Sequence, residues 1–335
     1  MTFEKRRAPR TSGLFILALI TGLVGIASAQ AADDTTDWHR WFTHDETSMR
    51  SVDHSVWTRL LIATVHVVDP TREGGVSQRR AAQTGSRLKG KRGGGSSVQA
   101  NRVAYGLLRD RHKDAVHAYL RRLQKVEVSH LSRDEQLAYW LNFYNAGVYA
   151  LIADAYPIHR IKTLRLGSRR KPAAWAERKF KVEGVSLSLN DIRERILFKV
   201  WPDPMILYGL FDGVLGAPDI LNRAFTADNV SDLLTFNAHR FVNSRRAIRF
   251  AGRPEIKVSQ IYRWGAVLFP NGDTDIIAHL TKFANPYLEA KLDKAKRITS
   301  YFFNWRTNDF KKYDAIFQDK LANIGFINMT GASNN

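Results

Sequence analysis

Apolar positions recur at helical spacing through most of this chain, and they are densest between Ser132 and Tyr156. There Leu137, Leu141, Tyr144, Val148 and Leu151 fall on one face, and Trp140, Phe143, Ala146 and Ala150 make the neighbouring face apolar too. A helix that is apolar nearly all round belongs in a core. Ser132 with Glu135 three residues on predicts a capping box at its start. Pro157, with Tyr156 before it, predicts its end. Two amides break the apolar surface, Asn142 and Asn145, three apart and so on one side. An unpaired buried amide costs roughly 1–3 kcal/mol, so both need partners. Either they bond loop backbone and pin the fold, or they face a pocket with Trp140 as binding residues.

The same pattern places the flanking elements. Val56, Leu60, Leu61 and Val65 predict a helix over 55–68, closed by Asp69-Pro70. Val103, Leu107, Val116, Tyr119, Leu120 and Leu123 predict another over 102–126. Residues 158–166 read as extended or turn. Apolar alternation on both sides of Glu183-Gly184 predicts a hairpin over 180–187, and Ser188 with Asp191 predicts a capped helix to about Val200. The apolar run Met205 to Phe211 fits a buried strand or a short helix, followed by a tight loop from Asp212 to Pro218. Thr226 predicts the cap of a helix reaching Val242, and a second hairpin turns at Gly252-Arg253. Short helices over 274–282 and 286–295, a strand over 298–305 and a helix over 308–324 complete the chain. The expected fold class is α+β, a mainly helical single domain over 55–325 with a small antiparallel sheet. An aromatic-bearing arm precedes it at 32–54 and a tail follows at 326–335.

Two stretches depart from this pattern. Residues 71–100 hold almost no large apolar side chain, and seven Arg or Lys against one Glu. Such composition buries too little surface to order itself, and reads as a basic, flexible insertion. It is either merely solvated or a grip for an anionic envelope polymer or membrane surface. At the N-terminus, Lys5, Arg6, Arg7 and Arg10 precede the apolar run Gly13 to Ile26, then Ala27-Ser28-Ala29 overlapping Ala29-Gln30-Ala31. This layout predicts a secretory signal peptide over 1–31 and a periplasmic or secreted protein; the alternative is an uncleaved anchor. No other stretch is long and apolar enough to span a membrane, so no transmembrane helix is expected in the mature chain. The formal charge of +19 falls to about +16 without the signal segment, which favours anionic surfaces.

Composition then narrows the chemistry. The chain has no cysteine, which excludes disulfides, zinc–thiolate sites and a cysteine nucleophile. No Gly-x-Ser-x-Gly elbow and no His-Glu-x-x-His pair occurs, and Gly213 to Gly216 is followed by no Lys-Ser or Lys-Thr. No metal and no cofactor is therefore expected. The basic insertion lacks interleaved aromatics, so specific nucleic-acid recognition is not indicated. Asp212, Tyr208 and His159 remain as candidate catalytic residues. Asp212 ends an apolar run before a glycine, where a desolvated carboxyl could serve as general acid or base. Its alternative is a turn cap bonded to Gly213 or Val214.

Trp140-Leu-Asn142-Phe-Tyr144-Asn145-Ala146 followed by Tyr156-Pro157 resembles the hallmark of a bacterial and plant family, the domain of unknown function 547. Further pieces agree in order: Asn101 to Tyr105, Val182 to Gly184 with Leu187 to Ile192, Asp203-Pro204, the Gly213 to Pro218 loop, Ser259 to Trp264, and Ile298 to Asp309. The resemblance spans about 55–310 and makes 71–100 an insertion. Family members often carry a His and cysteines at places that here read near Leu207, Asp212 and Ala217, and a Glu-His pair where this chain has Arg193-Glu194. The resemblance implies a fold and no agreed reaction. The expected function is an exported envelope binding or scaffold module, with a cleft between the central helix and residues 205–218. The alternative is a cysteine-free hydrolase or transferase using Asp212.

Overall fold

The computed structural model describes residues 37–68, 100–159, 161, 174–252 and 254–311. The expected signal segment, most of the basic insertion, residues 162–166, Arg253, the 312–324 part of the last helix and the tail lie outside the described residues. The chain divides after Asp37, and the unit beginning at Trp38 is described here.

A 3-10 turn at Trp38–Phe42 buries Trp41 edge-on against Trp140, 5.1 Å between ring centres. Helix α1, Ser55–Thr64, is shorter than its apolar spacing predicts. Val65 and His66 leave it as strand β1 and pair antiparallel with β2, Arg102–Val103. The expected helix over 102–126 is thus split into β2, a 3-10 turn at Tyr105–Leu107 and helix α2, Asp110–Leu123. The side chain of Trp57 stacks on Tyr119 and binds α1 to α2.

Helix α3, Arg133–Ala155, is the central helix, with every residue from Glu135 to Ala153 buried. Its capping box does not form. Ser132 makes no side-chain cap bond, because the Glu135 carboxylate accepts instead from the Val52 N–H at 2.7 Å and holds the N-terminal arm. The helix stops at Tyr156, before a cis peptide bond to Pro157.

Strands β3, Phe180–Val182, and β4, Val185–Leu187, form the expected hairpin. Both turn residues have positive φ, Glu183 at 44° and Gly184 at 85°, as a two-residue primed turn requires. The Ser188–Asp191 capping box is complete: each backbone N–H donates to the other's side chain at 3.0 Å. It opens helix α4, residues 189–200, whose middle, Asp191–Leu197, is π-helical. Of the two forms open for the 205–211 run, the short helix is found, a 3-10 helix at Pro204–Gly209. Helix α5, Val230–Val242, starts four residues after Thr226. The Thr226 N–H instead donates to Asn229 Oδ1 in a preceding turn.

The last elements are β5 (Ile248–Gly252), β6 (Glu255–Ser259), α6 (Gln260–Trp264), α7 (Asp273–Lys282), α8 (Pro286–Leu292) and β7 (Arg297–Phe302). The three strands lie in the order β5-β6-β7. β7 joins β6 in parallel, so this sheet is mixed while the two small ones are antiparallel. Residues 308–311 do not begin a helix: Asp309 bridges Val103 in parallel and Thr307 bridges Val214. One continuous core joins α3 to the surrounding elements.

Candidate functional site

The two amides of α3 take the backbone-pinning alternative. Asn142 Nδ2 donates to the Phe225 carbonyl at 2.7 Å, and the Phe225 N–H donates back to Oδ1 at 3.0 Å. Asn145 likewise donates to the Gly209 carbonyl and accepts from the Phe211 N–H, both at 2.9 Å. Each amide therefore satisfies a buried carbonyl and a buried N–H together. The Asn145 pair has a second effect, since it fixes the segment whose next residue is Asp212.

Asp212 makes no cap to its own loop. Tyr144, one residue before Asn145, donates its hydroxyl to Asp212 Oδ1 at 2.6 Å. Arg193 Nη1 approaches the same oxygen at 3.9 Å. Among the described residues no hydrogen bond reaches Asp212 Oδ2, Arg193 Nη1 makes only that ion pair, and the two side chains keep 13% and 14% of their surface exposed. The carboxyl is thus anchored by one oxygen and open at the other. Burial pushes the Asp212 carboxyl above the usual range, against the opposing pull of Arg193 and Tyr144. Arg193 remains fully charged: burial opposes its charge, but Tyr144, Asp212 and Glu194 outweigh it.

Local structure explains the convergence. Gly213 has φ +71°, and a Cβ there would meet Ile152 Cδ1 at 2.0 Å, so only glycine lets the chain turn beneath α3. The loop beyond is zipped to the C-terminal segment. Leu215 N–H donates to the Arg306 carbonyl, Gly216 N–H to Asn304, and Asn308 N–H to Gly213. The π-helical stretch of α4 carries Arg193, whose Nη2 also donates to Asn190 Oδ1 at 3.1 Å. Its guanidinium lies 5.9 Å from the Trp264 ring centre. Trp264 meets Phe303 at 4.8 Å and Trp305 at 5.7 Å, edge to face, and all three rings are half-buried.

The other sequence-derived candidates lie elsewhere. The Tyr208 hydroxyl bonds His279 Nε2 at 3.0 Å and the Tyr262 hydroxyl at 3.2 Å, with its ring stacked on His279. Burial raises the Tyr208 pKa and lowers that of His279 to about 4, so this is a neutral internal network. His159 is exposed, and its backbone carbonyl accepts from the Thr307 N–H. Trp140 is wholly buried, edge-on to Trp41 and Tyr139. Among the described residues, no group of three or more His, Asp or Glu is placed to hold a metal ion.

Sequence reasoning missed Tyr144, Arg193 and Trp264 as members of the site. Tyr144 reads as one more apolar position of α3. Arg193 reaches Asp212 through a π-helical register that side-chain spacing does not encode. Trp264 and Phe303 carry the best signal, since both lie in aromatic motifs near the end of the chain.

No curated protein and no solved structure matches the chain. One family model does, described as Protein of unknown function, DUF547, over residues 128–242. That stretch holds Tyr144, Arg193 and Asp212, while Trp264, Phe303 and Trp305 lie beyond it. Over the part of the fold that builds the carboxyl and its two anchors, the chain resembles the DUF547 family.

Proposed function

We propose that the chain is an exported envelope protein whose DUF547-like domain is a binding module, with its ligand seated at Asp212. The observation that carries this reading is the half-anchored carboxyl. Tyr144 and Arg193 hold one oxygen, and among the described residues no hydrogen bond reaches the other, in a carboxyl whose side chain keeps 13% of its surface exposed. A partly buried donor–acceptor pair beside aromatic rings is the usual make-up of a ligand site. Export rests on the basic, apolar and small-residue succession over 1–31. Among the described residues no helix is long and apolar enough to cross a membrane. Two measurements test the reading. Cell fractionation with N-terminal sequencing should place the protein in the periplasm or medium, beginning at Gln30 or Ala32. Asp212→Asn, which keeps shape and removes the charge, should weaken binding of an identified ligand without lowering the melting temperature by more than a few degrees.

One observation favours a second reading. An open carboxyl with a raised pKa suits general acid catalysis in a cysteine-free hydrolase or transferase. Its partners would be Tyr144 and Arg193, in place of Tyr208 and His159. If a turnover is found and Asp212→Asn leaves it intact, this reading is lost.

A further inference from the structure

We propose that the Asp212 site takes a neutral saccharide, one pyranose ring lying against the Trp264–Phe303 surface while its hydroxyls engage Asp212 Oδ2 and Arg193 Nη1. This deepens the binding-module reading and rests on it.

Three features select the ligand class. First, the site offers an acceptor that no hydrogen bond among the described residues reaches, Asp212 Oδ2, next to the partly exposed Arg193 guanidinium, whose Nη1 makes only a 3.9 Å ion pair to Oδ1. Adjacent hydroxyls on a sugar ring both donate and accept, so they complement such a pair. Second, the charges are mixed. Arg193 attracts an anion, but Asp212 and the half-exposed Glu194 carboxylate, itself bonded to Arg193, repel it. A cation meets the reverse, and Arg193 already holds the cation position against Trp264. A neutral polyhydroxyl ligand meets neither penalty. Third, Trp264 and Phe303 are half-buried residues whose rings meet at 4.8 Å, with the Arg193 guanidinium 5.9 Å from the Trp264 ring centre. Aromatic carbon next to polar groups suits a ligand with an apolar C–H face and a hydroxyl rim. Trp305 packs edge-on to both rings and fixes their orientation.

The test titrates the mature chain with cellotetraose, maltotetraose and chitotetraose, reading tryptophan emission and heat. Tetragalacturonate serves as the anionic probe and choline as the cationic one. At least one neutral tetrasaccharide should give a single saturable phase. Trp264→Ala and Asp212→Asn should each weaken it about tenfold or more, a loss of about 1.4 kcal/mol. Asp212→Asn is nearly isosteric, so it decides the matter if Trp264→Ala fails to fold. The proposal is overturned if none of the three saturates, or if binding is unchanged in Asp212→Asn. Should tetragalacturonate or choline bind instead, with Asp212→Asn abolishing it, the saccharide assignment falls and the binding site stands. If no probe of any class binds, both fall.

Discussion

At the scale of single residues, the polar groups of α3 divide into those that bond backbone and Tyr144, which anchors the Asp212 carboxyl. Asn142 satisfies both backbone groups of Phe225. Asn142→Ala would leave a buried N–H and a buried carbonyl unpaired, and should cost about 2–4 kcal/mol of unfolding free energy. Urea denaturation measures this, and a loss within 0.5 kcal/mol, the scale of surface substitutions, would show that the bonds are dispensable. Asp212 makes a different prediction. Its folded pKa is raised above the unfolded value of about 3.9. Its contribution to stability is therefore fully present below that pH and is lost as pH rises through the folded pKa. Asp212→Asn has no such titration. Relative to the parent protein it should gain stability as pH climbs from about 4, then level off. Urea melts from acid to neutral pH give the difference directly, and a flat difference, or one falling with pH, contradicts the buried environment assigned to this carboxyl.

At the scale of elements, what was legible is what repeats. The burial of α3, the β3–β4 hairpin and the Ser188–Asp191 box follow from spacing and turn chemistry alone. Gly184 has open space around its Cβ position but φ +85°, so Gly184→Ala should cost about 1 kcal/mol through conformation only. A thermal melt would check it. Less legible was what tertiary partners decide. Glu135 leaves its capping role because Val52 offers a buried N–H. Val65 and His66 leave α1 because Arg102 and Val103, some 35 residues on, offer a ladder. The site itself joins α3, α4, the Asp212 loop, the end of α6 and the chain after β7, and no local pattern connects these. The β1–β2 pair also forms the stem of the basic insertion. Val68 N–H donates to Asn101 Oδ1, Arg240 donates to the Val68 carbonyl, and the buried Asp219 carboxylate bonds Arg240, Arg246 and the Asn101 N–H. Stem and clamp lie on either side of residues 70–99. Replacing 70–99 by a short glycine-containing turn should leave unfolding free energy unchanged or raise it by about 1–2 kcal/mol through the shorter loop. A fall of several kcal/mol would mean that the insertion packs on the domain.

At the scale of the whole molecule, charge and site point in different directions. The +19 formal charge is a property of the entire surface, and residues 71–100 hold seven of its Arg and Lys. The proposed ligand site, in contrast, balances Arg193 against Asp212 and Glu194. We therefore expect two separable interactions, a non-specific hold on anionic envelope polymer and a specific one at Asp212. Charge contacts are screened within about 8–10 Å at physiological salt, and counterion release makes them fall steeply as salt rises. On immobilised heparin the chain without residues 1–31 should elute at high salt and the same chain lacking 70–99 at distinctly lower salt. Asp212→Asn should elute with the parent protein. Binding at Asp212 should show the converse: little dependence on salt, no loss with the insertion removed, and loss with Asp212→Asn. Equal elution with and without the insertion would move the polyanion contact to the folded surface. A heparin shift in Asp212→Asn would show that the two interactions share one surface, and the separation argued from their charge balance would fail.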